Sequence, residues 1–390
     1  MSGPLSGYKV IELAGLGPGP FAAMLLADMG AEVIRVEKSQ SVRGPAPTAP
    51  NADTMLRGRK NIALDLKHPE GVETFLQLAD QADILLEGYR PGVMERLGIG
   101  PDVCMARNPK LVYGRMTGWG QEGPYAMAAG HDINYISLSG VLGQVRRPGE
   151  RPLAPMNLIG DFGGGGMFLA FGVVCALLDA AKSGKGQIVD TAMVDGSAVL
   201  NMFTWAWRNM GLFNPKTPGE NMLDCGAHFY DTYECADGKY ISIGSIEPQF
   251  YAELLRRTGL SQDAEFLNQH ERNNWPHLKN RLRDVFLAKT RDEWCAEMEM
   301  TDVCFAPVLD MDEALEHPHM VERGTFVTVS GAEQPAPAPR FSRTKPELGT
   351  LPAHPGEHSR EVLLGWGFAD DRAAALIANG AVIDAPPTGA

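Results

Sequence analysis

The sequence predicts an α/β protein, with a mostly parallel sheet and covering helices in its first half and a smaller α+β unit after about residue 225. Two observations carry that expectation. Through the first 195 residues, short β-branched runs alternate with helical stretches, the pattern of repeated βαβ units. Beyond residue 225, His228–Glu234 and Tyr240–Gly244 flank Ala236-Asp237-Gly238, which signals an antiparallel hairpin, and helical stretches follow.

In chain order, Tyr8–Leu13 reads as a strand. A Gly/Pro turn follows, with Pro20 suited to the first helical position, and then a helix over Phe21–Met29 closed by Gly30. Glu32–Glu37, Ile84–Leu86, Lys110–Met116 and Ile188–Ala192 read as strands. Helices are expected at Gly71–Ala82, Asp132–Leu138 and Met167–Lys182, the last stopped by Gly184. In the smaller unit they are expected at Gln249–Arg257, Trp275–Ala288 and Arg291–Met300. Ser330–Pro355 reads as an extended return segment, and an amphipathic helix over Glu357–Leu364 precedes a polar tail.

Composition narrows the function. A chain of 390 residues suggests two structural units, and 44% hydrophobic with 21% charged residues is a globular composition. The formal net charge of −13 opposes a nucleic-acid or anionic-membrane partner, because no basic field offsets phosphate repulsion. A small phosphorylated ligand stays compatible if basic residues gather locally. Cys104, Cys175, Cys225, Cys235, Cys295 and Cys304 show no C-x-x-C spacing, which fits a reducing compartment. The opening MSGPLSGYKVIELAG lacks a signal or transit pattern and the closing PPTGA matches no address, so a cytoplasmic location is expected. The apolar run Met167–Leu178 is too short to span a bilayer.

One motif misleads. Gly17-Pro18-Gly19-Pro20-Phe21-Ala22 follows a strand and opens a helix, matching G-x-G-x-x-A, and Glu37 lies where a ribose-binding acid belongs. That motif works by aiming backbone N–H groups at a pyrophosphate. Pro18 and Pro20 each remove a donor, so nicotinamide or flavin binding is rejected.

Three segments carry the chemistry: EGYRPGVMERLG (Glu87–Gly98), RMTGWGQEGPYAMAAGHDINYISLSG (Arg115–Gly140) and IGDFGGGGMFLAFGVVCALLDAAKSGKGQ (Ile159–Gln187). With APVLDMDEALEHPHMVERG (Ala306–Gly324) and PGEHSREVLLGWGF (Pro355–Phe368), they resemble the family III CoA-transferase (CaiB/BaiF) superfamily along nearly the full chain. Within it, GHDINY, GDFGGG and YDTYECADGKY with IEPQF resemble the α-methylacyl-CoA racemase branch. The resemblance implies a large Rossmann-like domain built from both ends of the chain, with residues 1–195 as its N-terminal part and 321–390 returning to it. It implies a small α+β domain over 226–320, a linker over 196–225, and an interlocked homodimer whose sites draw on both subunits. It implies a 2-methylacyl-CoA substrate, CoA being part of the substrate, and no separate cofactor.

That chemistry makes demands on residue types. The α-proton of a thioester is too weakly acidic for an unaided side chain, so an enolate must be stabilised and a base held close. Inversion without a cofactor needs two groups on opposite faces, one removing the proton and one returning it. His131, in GHDINY just before a helix, is the candidate imidazole, with Asp132 as that helix's N-cap. Asp161 is the candidate carboxyl group. It precedes four glycines and a long helix, a setting that reads as an N-cap with N–H groups free to face an enolate oxygen. By resemblance, the acid at this position does covalent work in the transferases and proton transfer in the racemases. Glu247, in SIEPQF, matches the acid that the racemase branch sets against the histidine, and orienting the imidazole is its implied role. His228 reads as a strand residue without catalytic work, and His317-Pro318-His319 lacks the further ligands a metal needs.

For CoA, the resemblance points to Lys38, Lys67, Arg90 and Arg96, with Leu64, Asp65, Leu66, Gly88, Tyr89, Gly130, Asp132, Ile133, Asn134 and Tyr135. Lys38 stands where arginine is the family's expected residue, which loses bidentate phosphate contact. Arg57, Arg59 and Lys60 are candidates for the same basic patch, and Met193, Met202, Met210 and Met222 for an adaptable apolar surface facing the acyl chain. The competing reading is a CoA-transferase with Asp161 as nucleophile; that chemistry needs no imidazole at 131, so GHDINY separates the two. A non-catalytic CoA-binding protein is the third, opposed by the presence of both His131 and Asp161.

Overall fold

Six parallel strands and one antiparallel edge strand form the principal sheet. They are β1 (Lys9–Leu13), β2 (Glu32–Lys38), β3 (Arg59–Leu64), β4 (Ile84–Glu87), β5 (Val112–Thr117), β6 (Ile188–Ala192) and the late strand β12 (Val382–Ile383). The structure, a computed structural model, describes residues 2–43 and 53–385; the closing PPTGA lies outside them. The sheet order is β12-β3-β2-β1-β4-β5-β6, with β12 antiparallel to β3 and the remaining pairs parallel. Strand order therefore reverses between β1 and β4, the topological switch point at which open α/β sheets bind ligands beyond the strands' carboxyl ends.

Both faces of the sheet are covered, so its central strands are apolar on both sides. Ile11, Ile34, Ile62 and Leu64 pack with Phe75, Leu78 and Trp366 on one face. Val10, Val33, Ile84 and Val112 pack with Ala22, Leu26, Leu169 and Val173 on the other. The first compact unit comprises the described parts of Met1–Ser139, Pro155–Leu200 and Gly324–Ala390. Residues 196–225, expected as a linker, divide at Leu200 between the two units and carry part of the helix Met193–Leu200 and all of Met202–Asn209.

The structure departs from the sequence reading in identifiable places. β3 was not expected, because Arg59-Lys60-Asn61 reads as polar; in the fold Arg59 and Asn61 are buried. The expected polar tail instead holds the helix Asp370–Ala378 and β12. The return segment contains part of a hairpin, β10 (Phe326–Val329) with β11 (Ala332–Pro335). Pro18, not Pro20, opens the first long helix, Pro18–Asp28, behind Gly17. Helical winding runs unbroken from Leu158 to Ser183, 26 residues that by length and composition alone suffice to cross a membrane. Here the later part of that stretch, Phe168–Ser183, packs beside β5 and β6.

The second unit, Gly140–Ala154 with Asn201–Arg323, is built on an antiparallel sheet of β7 (Tyr230–Glu234), β8 (Tyr240–Gly244) and β9 (Phe305–Val308). His228 is fully buried in its core, with Nε2 2.7 Å from the Tyr251 hydroxyl, which donates to the Phe266 carbonyl at 3.0 Å. Tyr251 spends its single proton on that carbonyl, so the imidazole is the donor between them. Burial pushes the His228 pKa down to about 3. The unfolded chain therefore binds a proton near pH 6.5 that the native state refuses, and stability falls as pH drops through that value. Acidification from pH 7 to pH 5 is expected to remove about 2 kcal/mol through His228. Urea unfolding at the two pH values measures it, and His228→Gln is expected to flatten the dependence; equal slopes would refute the assignment.

Candidate active site

A cleft of about 520 Å³ opens at the switch point, and His131 and Asp161 both line it. Its walls come from the segments that follow β1, β4 and β5: Leu13 to Pro20, Gly88 to Pro91, and Gly118 with Trp119. Residues 30 positions apart in sequence thus meet where the sheet order reverses.

Each residue of GHDINY except Ile133 has a distinct local task. Tyr135 donates its hydroxyl proton to the Gly130 carbonyl, and a Cβ at Gly130 would stand 2.8 Å from the Tyr135 ring and 2.9 Å from Trp119. Trp119 meets Tyr135 edge-on at 4.7 Å. The His131 amide donates to Asn134 Oδ1 at 3.0 Å, and the Asn134 amide donates to the His131 carbonyl at 2.8 Å. His131 is therefore itself the N-cap of the helix Asp132–Leu138, correcting the assignment of that role to Asp132. Asp132 is 5% exposed and reaches the segment bearing Asp161, its Oδ2 accepting from the Asp161 amide at 2.7 Å. Gly160 makes room, since a Cβ there would lie 2.5 Å from that oxygen. One buried carboxylate thus joins the chain bearing the imidazole to the chain bearing the acid.

Asp161 lies in the first turn of a π-helix, Leu158–Met167, with Asn157 at the N-cap position; the expected N-cap role for Asp161 is not what the fold uses. Asn157 Nδ2 donates to Asp161 Oδ2 at 3.1 Å. The glycines that follow are packing positions, not a surface offered to a ligand. A Cβ at Gly164 would lie 2.5 Å from the Ser197 amide, one at Gly165 2.9 Å from Met193, and one at Gly166 2.7 Å from Phe21. The wide helical turn and the missing side chains let two other helices approach its backbone.

Half-burial pushes the Asp161 carboxyl above the usual carboxylate range. The Asn157 hydrogen bond works against this, the Asp132 charge adds to it, and a protonated His131 opposes it. A carboxyl group with raised affinity for a proton, facing the same cleft as an imidazole, is equipped to give and take protons.

The structure gathers only part of the expected set. Gly88, Tyr89, Arg90, Gly130, Asn134 and Tyr135 line the cleft with the two catalytic candidates. Lys38, exposed, reaches the edge of this group with Nζ 5.3 Å from the Tyr89 ring centre. Lys67, Arg96 and Ile133 are exposed outside the lining, Leu64 is core, Leu66 packs against the core, and Asp65 accepts from the Lys67 amide at 3.0 Å. Arg57 and Arg59 are withdrawn from the proposed basic patch: both are buried, Arg57 paired with Asp28 at 2.6 Å and Arg59 with Glu12 at 3.3 Å. Lys60 pairs with Glu361 at 3.0 Å. Of the four methionines only Met193 lines this cleft, while Met202 and Met210 are exposed. Glu247 belongs to the second unit, as the N-cap of the helix Pro248–Arg257. His317 sits 3.5 Å from Glu299, and among the described residues no group of three or more His, Cys, Asp or Glu is arranged to hold a metal. Sequence reasoning missed Asn157 and Trp119; for Asn157 the one available signal was its place four residues before Asp161.

Known proteins are similar to this chain over most of its length. The chain is 46% identical over 372 residues to a mouse protein, and 44% over 368 residues to a human one, both named alpha-methylacyl-CoA racemase. Each alignment covers 94% of this chain and 94% of the relative. The crystal structure of Rv3272 from Mycobacterium tuberculosis superposes with a TM-score of 0.76 at 27% identity, covering 92% of this chain and 98% of that one. The family model for CoA-transferase family III matches residues 5–359, and the chain belongs to that family.

Proposed function

We propose that the protein is an α-methylacyl-CoA racemase that interconverts (2R)- and (2S)-2-methylacyl-CoA by proton transfer through an enolate. The observation that carries this reading is the presence of His131 and the half-buried Asp161 in one cleft at the sheet's switch point. For one enantiomer one group accepts the Cα proton and the other, already protonated, returns a proton to the opposite face; for the other enantiomer the roles exchange. Such a pair works when it holds a single proton between its two members, and burial of Asp161 narrows the gap between its proton affinity and that of an imidazole. No electrons change hands, so the reaction calls for no redox cofactor.

Arg90, Tyr89, Gly88 and Gly130 are the cleft residues assigned to CoA, with Lys38 beside Tyr89 and Lys67 and Arg96 as outlying phosphate contacts. Glu247 is assigned to orienting the imidazole. A homodimer is part of the reading, supported by apolar side chains left open on the helix Phe168–Ser183, where Phe171 is 69% and Leu178 59% exposed.

Incubating one enantiomer of a 2-methylacyl-CoA in D₂O tests the reading. Deuterium at Cα with loss of stereochemical purity, and no second CoA acceptor, is the expected result. Retained hand without exchange across several substrates refutes it. The family's description as CoA-transferase family III makes a transferase the alternative, with Asp161 as nucleophile. Hydroxylamine with acyl-CoA separates the two, since it inactivates an enzyme that forms an acyl anhydride and spares a racemase.

A further inference from the structure

Beneath the cleft lies a cluster of charges that the proton transfer does not use. Glu12, on β1, is 1% exposed and meets two arginines, Arg35 Nη1 through one carboxylate oxygen and Arg59 Nη1 through the other at 3.3 Å. Arg35 Nε also donates to Glu37 at 2.9 Å. Burying four charges under an active site is unfavourable unless each is paired, and removal of one partner from such a set is destabilising. The remaining donors of the two arginines show what the cluster holds. Arg35 Nη2 donates to the Gly15 carbonyl at 3.3 Å, and Arg59 Nη2 is shared between the Pro20 carbonyl and, at 2.9 Å, the Met55 carbonyl. The two guanidinium groups grip the Gly/Pro turn at both ends.

That turn is the wall against which Asp161 rests. Gly17, at its centre, has φ +68°, and a Cβ there would stand 3.2 Å from Asp161 Oδ2. Beyond Gly17 the contact continues. A Cβ at Gly165 would come 3.0 Å from Pro18 Cβ, and the Phe21 ring lies 4.9 Å from that of Phe162, the residue after Asp161. Displacing the turn opens the side of the Asp161 carboxyl group to water.

We infer that Arg35 and Arg59, bridged by Glu12, are positioning residues that hold the Gly15–Pro20 turn against Asp161 and so maintain its placement and its seclusion from water. They touch no reacting atom. The inference rests on the proton-transfer role of Asp161 proposed above.

Arg35→Lys and Gly17→Ala test it, each read by D₂O exchange and racemisation across pH. Lysine keeps the charge but cannot reach Glu12, Glu37 and the Gly15 carbonyl together. The expected result is a kcat lower by about 10- to 100-fold, with KM for the acyl-CoA within about threefold because the CoA contacts lie elsewhere. For the enantiomer whose proton Asp161 accepts, the acidic limb of kcat/KM is expected to move to lower pH in Arg35→Lys, since a better-hydrated carboxyl group ionises more readily. A merely structural role would lower Tm and leave that limb in place. Folded Arg35→Lys with kcat within about twofold of the parent and an unshifted limb overturns the inference. If Arg35→Lys does not fold, Gly17→Ala decides, because it leaves the buried charges intact and acts on the turn itself, straining the backbone at φ +68° and placing a Cβ 3.2 Å from Asp161 Oδ2; unchanged kcat then overturns the inference. Absence of exchange in the parent protein is a different failure, that of the racemase reading itself.

Discussion

Asp161→Asn and His131→Asn are each expected to lower racemisation of a 2-methylacyl-CoA by about 10²- to 10⁴-fold or more while CoA remains bound. The proposed mechanism requires both groups, one on each face, so on that reading neither loss is compensated by the other. The same logic gives a sharper expectation for isotope exchange. Each variant retains one base, and that base still faces one hydrogen position. Asp161→Asn is therefore expected to show residual Cα exchange with one enantiomer only, and His131→Asn with the opposite enantiomer, in both cases with hand retained. Loss of exchange for the same enantiomer in both variants would exclude opposed bases. Stability provides a second readout. Burial raises the folded-state pKa of Asp161, so over that window the native state holds more protons than the unfolded chain. Stability then falls as pH rises through the window and stays lower above it. Asp161→Asn, neutral and nearly isosteric, is accordingly expected to melt above the parent at pH 8 although it racemises poorly. Ala at the same positions is expected to abolish racemisation as well, with the Asn157 amide left without its carboxylate partner in Asp161→Ala.

Gly196→Ala is expected to give the largest loss of stability among single methyl additions near the site, about 3 kcal/mol. Gly196 lies in the helix Met193–Leu200, and its Cβ would overlap the Gly164 carbonyl and come 2.8 Å from Gly164 Cα. Both partners are backbone, so no flexible side chain can yield. The helix must move off the π-helical segment, and that segment carries Asp161 three residues before Gly164. Activity is therefore expected to fall with stability, and more steeply than for a remote substitution of equal thermodynamic effect. Gly365→Ala serves as the comparison. It also adds a methyl to a helical glycine, Gly365 of Ser359–Gly365, but into open space, and a gain of roughly 0.5–1 kcal/mol is expected from helix propensity. Thermal denaturation of the two variants with parallel exchange assays checks both; equal melting temperatures would show that the two backbones are less tightly crossed than the structure has them.

The glycines after Asp161 illustrate why part of the site was legible and part was not. Their presence announces that a backbone must be approached closely, and the sequence carries that information unambiguously. It does not carry what approaches. A ligand was the natural reading, whereas Ser197, Met193, Pro18 and Phe21 occupy the space. Arg57 and Arg59 failed in the opposite direction. Two arginines beside a lysine read as a solvated basic patch, and only the distant Asp28 and Glu12 make their burial possible. The same burial hid β3, whose first residues look like a loop until the partners are supplied.

The sequence by itself determined the elements whose signals are local. Strands β1, β2, β4, β5 and β6, the hairpin of β7 and β8, and the helices with clear periodicity follow from side-chain spacing along a few residues. It also determined the residue types available for proton transfer, because GHDINY and GDFGGG are contiguous motifs. Tertiary structure alone decided which of these meet. The strand order that places the ends of β1 and β4 side by side, the reach of Asp132 to the Asp161 amide, and the burial of Arg35 and Arg59 against Glu12 all depend on partners tens of residues away. Hydrophobic periodicity records which face of an element is buried, but a buried charge is stable only opposite a specific counter-charge, and that pairing exists only once the chain has folded.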